Sequence, residues 1–168
     1  MKTKMNSIPK KWTALAIGLF LIGMESLLAQ SQSYNTDEST IALEGYSPVS
    51  YIEQGMAQLG KKSFKSTYDG LTYFFVNQDQ QKKFQSNPKK YIPQYGGWCA
   101  YAVSLGYKYR PNPKSFRIVD DKLYLFTVNV EAEFVIAWEK EGQDKHIAQG
   151  DKNWKTLEKF KTFKKASF

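Results

Sequence analysis

Only one cysteine, Cys99, and one histidine, His146, occur in the 168 residues. A single cysteine rules out an intramolecular disulfide framework and any multi-cysteine zinc or iron–sulfur site. A single imidazole rules out histidine-rich metal centres and leaves His146 as the sole candidate base for a Ser-His-Asp triad. Arginine is nearly as scarce, with Arg110 and Arg117 alone. The chain has no Gly-rich phosphate loop, no H-E-x-x-H and no G-x-S-x-G, so the commonest signatures of nucleotide, zinc-protease and serine-hydrolase chemistry are missing. Its longest apolar run, Trp12 to Met24, falls short of the roughly 20 residues a bilayer-spanning helix needs.

Aromatic residues, by contrast, are abundant, with 11 Tyr, 11 Phe and 4 Trp, and the formal net charge is +8. Residues 1–29 have the layout of a secretory signal peptide. Lys2, Lys4, Lys10 and Lys11 form a positive start, Trp12 to Met24 an apolar centre, and Ala29 and Ser31 a small-residue cleavage region. The expected location is periplasmic or secreted, with a soluble chain after cleavage and no nucleic acid partner. That compartment is oxidising, which makes one unpaired cysteine notable. Residues 30–40 are polar and read as a flexible lead-in, 41–157 as one domain, and 158–168 as a basic tail interleaving Lys with Phe. The remaining length suits one domain with its own core. No internal repeat is visible.

Turn and cap signals order the domain. Ser47-Pro48 opens a short helix to about Gln54. Phe64–Tyr68 and Leu71–Val76 flank Asp69-Gly70, a two-residue hairpin signal. Asn77 with Gln80 resembles a capping box, which predicts a helix from Gln78 to Gln85 anchored by Phe84. Asn87-Pro88 opens a further turn carrying Tyr91, and Pro93 ends it. Gly96-Gly97 leads into a predicted helix from Trp98 to Leu105, with Gly106 past its end. Pro111 and Pro113 mark an irregular crossing. Phe116–Val119 and Leu123–Phe126 form a second hairpin about Asp120-Asp121. Asn129 is read as the cap of a helix through Trp138, and Asp151 as the cap of a last helix with Trp154, Leu157 and Phe160. Hairpins and short helices alternate without a βαβ period, so the fold class is α+β with antiparallel strands.

The segment Tyr68-Asp69-Gly70-Leu71-Thr72-Tyr73-Phe74-Phe75, then Phe84, then Asn87-Pro88-Lys89-Lys90-Tyr91, resembles the core of the YHS domain. The flanks resemble the exported, single-domain branch of that family. These are Glu44-Gly45-Tyr46-Ser47-Pro48-Val49-Ser50-Tyr51, Gln94-Tyr95-Gly96-Gly97-Trp98-Cys99-Ala100-Tyr101, and Phe116-Arg117-Ile118-Val119-Asp120 with Lys122-Leu123-Tyr124-Leu125. The resemblance spans residues 41–157. It implies a small α+β domain and an association with heavy-metal handling. Metal-linked members carry paired cysteines after the Y-x-F strand, and here those places hold Val76 and Gln80. The usual ligands are therefore not carried over.

Cys99 is the sharpest chemical feature. Just after two glycines and near a predicted helix start, it is open to three readings: a buried small hydrophobe, a ligand for a copper-type metal ion, or a reactive low-pKa thiol. His146 reads as a surface residue. Arg117, in a hairpin strand, either pairs with an acid or presents its fork to an anionic ligand. Tyr46, Tyr51, Tyr68, Tyr73, Tyr91, Tyr95 and Tyr101 either bond internally or line a small-ligand pocket. Asp120-Asp121 is a turn, and Glu131, Glu133, Glu139 and Glu141 a solvated helix face, so no carboxylate pair stands out for acid–base catalysis. The candidate ligand-binding set is Gly96, Gly97, Trp98, Cys99, Tyr101 and Arg117, with Cys99 also the candidate metal ligand. The expected function is that of a non-catalytic binding module for a metal ion or small molecule. The alternatives are a thiol-dependent redox protein or enzyme acting through Cys99, and an envelope module whose partner is another protein.

Overall fold

The computed structural model describes residues 34–36, 40–129 and 134–159. The expected leader, the start of the helix read from Asn129, and most of the basic tail lie outside the described residues. Among those described, no helix is long and apolar enough to cross a membrane.

Ser47-Pro48 opens α1 (Pro48–Gln54), which stops at Gly55 in the left-handed region (φ 65). A hairpin follows, β1 (Lys61–Tyr68) and β2 (Leu71–Phe75), paired antiparallel. Asp69 and Gly70 both have positive φ, 51 and 76, as a turn whose twist matches its strands requires. Asn77 Oδ1 accepts the Gln80 backbone N–H at 3.0 Å and starts α2 (Gln78–Ser86). α3 (Pro88–Tyr91) is a single turn. Then come α4 (Ala100–Ser104), a second antiparallel hairpin of β3 (Asn112–Val119) and β4 (Lys122–Phe126), α5 (Phe134–Glu141) and α6 (Gln143–Leu157). The fold is α+β, with two separate two-stranded sheets.

The structure overturns the absence of an internal repeat. Leu43, Glu44 and Gly45 form a left-handed turn ahead of α1, and Tyr95, Gly96 and Gly97 form one ahead of α4. The N–H of Ser47, which precedes α1, donates to Gln58 O at 2.8 Å, and that of Cys99, which precedes α4, to Tyr109 O at 3.0 Å. Gly55 and Gly106 follow the two helices with positive φ. The first hairpin pairs Lys61 with Phe75, slips over a bulge, and resumes from Lys65–Phe74 to Tyr68–Leu71. The second pairs Asn112 with Phe126, slips over a bulge of the same size, and resumes from Phe116–Leu125 to Val119–Lys122. Every position of the second ladder stands 51 residues after its counterpart in the first. The two halves are one supersecondary unit built twice.

Two local expectations change for related reasons. Pro113 lies inside β3, not in an irregular crossing, because it falls in the bulge, where a strand tolerates a residue with no N–H. α6 runs through Asp151 without a break. Gly150 lies within it at a place where a Cβ would come 2.7 Å from the Tyr95 hydroxyl oxygen. The glycine permits a close approach within the helix.

Each half has its own core, and β4 joins them. Side chains alternate across a strand, so Leu123 and Leu125 enter the cluster built on Val49, Tyr51, Phe75 and Phe84. Tyr124 and Phe126 enter the cluster of Trp98, Cys99, Val103 and Trp138. Glu53 ties three helices of the first half together. It accepts from Lys90 at 2.8 Å, Tyr91 at 3.0 Å and Lys83 at 3.3 Å. Those bonds, led by Lys90 and then Tyr91, hold its carboxyl down at about 2 against an ordinary 4.5. A carboxyl more acidic in the folded state stabilises above its unfolded value and loses that contribution as pH falls through the folded one. The contribution should be complete above about pH 4.5 and vanish towards pH 2. Glu53→Gln should cost about 1 kcal/mol at neutral pH, screened because the lysines are half exposed. It should cost nothing near pH 2, as read from urea midpoints across that range.

Candidate functional site

Gly96 and Gly97 have φ of 59 and 80, the left-handed backbone for which glycine is the natural residue. Their turn delivers Trp98 as an extended residue and Cys99 as the residue before α4. The helix thus begins two residues later than its apolar pattern predicts. Cys99 is fully enclosed, packed in the second core with Trp98, Phe126 and Trp138. Its Sγ accepts the Thr127 backbone N–H at 3.3 Å. Its counterpart in the first half is Ser47, equally buried, whose hydroxyl donates to Gln80 Oε1 at 2.7 Å. Among the described residues no three His, Cys, Asp or Glu side chains gather in a way that holds a metal ion. Met56 is half exposed in the loop after α1. This geometry favours the buried-hydrophobe reading of Cys99.

His146 is not on the surface, as the sequence suggested, but 5% exposed. It lies on the inward face of α6. Its Nδ1 is 2.8 Å from Ser104 Oγ and its Nε2 3.3 Å from Glu141 Oε2. Tyr101 donates to the other Glu141 oxygen at 3.0 Å, and its ring meets the imidazole edge at 5.1 Å. Serine, histidine and glutamate therefore stand side by side, a grouping the sequence did not disclose, but with serine on Nδ1 and glutamate near Nε2, the reverse of a hydrolytic triad, and with Nε2 making no hydrogen bond. Its surroundings oppose nucleophilic chemistry. The Ser104 hydroxyl donates back to Tyr101 O at 2.7 Å. Ser104 ends α4, where Asn153 Nδ2 already satisfies Val103 O and Ser104 O, both at 2.9 Å. A developing oxyanion needs N–H donors around it, and this helix end presents carbonyl oxygens. The Ser104–His146 contact ties α4 to α6, and the Tyr101–Glu141 hydrogen bond ties α4 to α5.

Arg117 does not join the glycine element. It pairs with Glu139 at 2.6 Å, and it borders a separate groove with Lys114 and Val128. Several of the tyrosine hydroxyls bond internally. Tyr51 donates to Pro113 O at 2.9 Å and Tyr91 to Glu53 at 3.0 Å. Tyr95 donates to Asp151 at 3.0 Å, with Ile147 O a second acceptor in reach of the same hydrogen at 3.2 Å. Burial first, then the Asp151 carboxylate, raises Tyr95 well above the usual phenol range.

Gly96 and Tyr95 instead border an open cleft of about 900 Å3 between the first hairpin's turn and α6. Asp69 and Lys89 stand on one side, and Asp151, Trp154 and Lys155 on the other. Tyr34 donates to Asp69 and Tyr95 to Asp151, so both carboxylates are held by phenols. Behind Trp154 the buried Lys108 places its Nζ 5.3 Å from the Trp154 ring and 5.7 Å from the Trp98 ring. Burial lowers the pKa of Lys108, while the Glu158 carboxylate acts against that shift. Such a cation between two indoles fixes the tilt of α6 against the loop after α4. None of Asp151, Trp154 and Lys108 could be assigned to a site from local pattern, since their meeting depends on how α6 crosses the second left-handed turn. Comparisons with protein families, with curated proteins and with solved structures find no match to this chain.

Proposed function

We propose that the chain is a YHS-like, non-catalytic binding module whose ligand is a small planar organic anion held in the cleft between the first hairpin and α6. The observation that carries this reading is the cleft itself. It combines the half-buried Trp154 indole, packed beside the buried Tyr95, with two exposed lysines, Lys89 and Lys155; of its three carboxylates, Asp69 and Asp151 accept from tyrosine hydroxyls and Glu158 lies at the end of α6. An aromatic body stacks on the indole and its charged end meets a lysine. The YHS-like part rests on the residues of the resemblance acting as one unit: Phe84 meets Tyr73 at 4.8 Å, Phe75 at 5.1 Å and Tyr91 at 6.4 Å. Burial of Cys99 weighs against the thiol-enzyme reading and against a copper-type ion bound through that sulfur.

The test is an amide-shift titration with benzoate and indole-3-acetate, alongside benzylamine, Cu(I) and Zn(II). The organic anions should shift Lys89, Tyr95 and Trp154, and Trp154→Leu should abolish the effect. Iodoacetamide should leave Cys99 unlabelled until the protein is denatured. Native labelling of Cys99, or metal binding that protects it, would move the function to the thiol.

A further inference from the structure

Residues 55–60 lead from α1 to β1 as a loop whose backbone is pinned along its length. The Gly55 N–H donates to Tyr51 O at 3.0 Å, the Met56 N–H to Ser50 O at 3.3 Å and the Gly60 N–H to Gly45 O at 2.9 Å, while Gln58 O accepts the Ser47 N–H at 2.8 Å. With its main chain bonded to the domain, the loop turns Met56 and Leu59 outward. They are 52% and 64% exposed, the two highest values for a large apolar side chain among the described residues.

Leu59 is part of a patch. It pairs with the half-buried Tyr46 across an antiparallel bridge. A Cβ on Gly45 would lie 3.8 Å from both Leu59 Cδ1 and Phe74 Cε2, so these two side chains are neighbours. Lys65 is the cross-strand partner of Phe74, and paired residues share a face of the sheet. Lys61 and Lys62 follow Leu59 at the start of β1. All three lysines are exposed, and none enters an ion pair among the described residues. Two carboxylates flank the loop. Glu53 is already held by Lys83, Lys90 and Tyr91, which leaves Glu44, beside Gly45, against three cations.

The backbone does not demand an apolar residue here. In the second half Tyr109 O accepts the Cys99 N–H as Gln58 O accepts that of Ser47. The residue after Tyr109 is Arg110, exposed like Leu59. One loop geometry thus carries an arginine in one half and a leucine in the other, and packing does not explain the leucine.

We infer that loop 55–60 and the start of β1 form a docking surface for an anionic phospholipid bilayer. Met56 and Leu59 enter the boundary between headgroups and acyl chains, Tyr46 stands at headgroup level, and Lys61, Lys62 and Lys65 meet the lipid phosphates. A loop already pinned inserts with little further loss of conformational entropy. A water-soluble polyanion would engage the lysines and leave the leucine and methionine in water, whereas a bilayer engages both. The surface shares no residue with the cleft lining and does not depend on the ligand assigned there.

The test is co-sedimentation of the full chain with vesicles of phosphatidylcholine alone and of equal parts phosphatidylcholine and phosphatidylglycerol. The triple variant Lys61→Gln, Lys62→Gln, Lys65→Gln should partition about a hundred-fold less into the anionic vesicles, since each lysine near such a surface contributes about five-fold. The double variant Met56→Gln, Leu59→Gln should lose about ten-fold through its missing apolar insertion. Unchanged urea midpoints establish that both variants are folded. Residues 1–29 and 158–168 are common to every chain compared, so the differences report on the loop. Equal partition by all three chains would overturn the assignment. So would a loss confined to the lysine variant, which would point to a water-soluble polyanion instead. A nitroxide-labelled lipid gives a local reading in the unaltered chain. It should broaden the methyl signals of Met56 and Leu59 strongly and those of Ile136, exposed on α5, little. Equal broadening at the three residues would end the proposal.

Discussion

Gly60→Ala should destabilise the fold by about 3 kcal/mol, the upper end of what an added methyl costs in a packed core. A Cβ at Gly60 would lie 2.5 Å from the Phe74 carbonyl carbon, 2.6 Å from Phe74 Cβ and 2.7 Å from the Phe75 nitrogen. Two of those three are backbone atoms of β2, which cannot turn away as a side chain can. β2 is itself pinned by its ladder with β1 and by the burial of Tyr73, Phe74 and Phe75. Gly60 cannot withdraw either, because its N–H donates to Gly45 O at 2.9 Å. Gly55→Ala is the control. It places a side chain at φ 65 but with no atom within 4 Å, so its cost should be about 1 kcal/mol. Urea unfolding of both variants checks the pair. Equal midpoints would mean that Gly60 and β2 do not approach as closely as described.

Trp138→Ala and Phe84→Ala should each cost about 3–5 kcal/mol, as large aromatic truncations in a closed core do. Trp138 is fully buried and meets Phe126 at 5.1 Å and Tyr124 at 5.8 Å. Phe84 holds the corresponding place in the other half, meeting Tyr73 and Phe75. The consequence specific to this molecule is cooperativity. β4 sends alternate residues into both cores, so neither half can lose its packing without loosening the strand that supports the other. Both variants should therefore shift one shared unfolding transition, seen alike by tryptophan fluorescence and far-ultraviolet circular dichroism. A variant that melted one half first, in two resolved steps, would show that the halves fold independently.

The reading of Cys99 shows where local sequence stops. A cysteine after two glycines has the pattern of an activated thiol, and the positive φ of Gly96 and Gly97 agrees with the close-approach argument. Whether the sulfur faces solvent or a core depends on Phe126 and Trp138, residues brought in by the second hairpin and α5. The Ser47 counterpart is equally informative, because it shows a small buried side chain serving the same backbone position without any sulfur chemistry. The duplication was hidden for a related reason. The most similar stretches of the two halves, Lys62-Ser63-Phe64 and Lys114-Ser115-Phe116, lie 52 residues apart. The ladders repeat at 51, so Phe64 falls in the first bulge while Phe116 is paired with Leu125. A repeat carried by backbone register leaves little trace in residue identity when a bulge absorbs the slip.

The elements whose information is local were legible in the chain of residues. Asn77 caps α2 because its own side chain reaches the Gln80 N–H. Asp69-Gly70 and Asp120-Asp121 turn their hairpins because these residue types accept positive φ. Pro48 starts α1 because its ring favours the first helical position. Features that depend on contacts between distant residues emerged with the tertiary structure. Burial of His146 between Ser104 and Glu141, continuation of α6 past Gly150, seating of Tyr34 and Asn35 against Asp69 and Gly96, and the division of β4 between two cores all join residues tens of positions apart. Neighbouring residues determine caps and turns because the groups that bond are already in reach. A cleft, a seam or a buried imidazole exists only once loop closure has brought its walls together, and no local pattern records which walls those are.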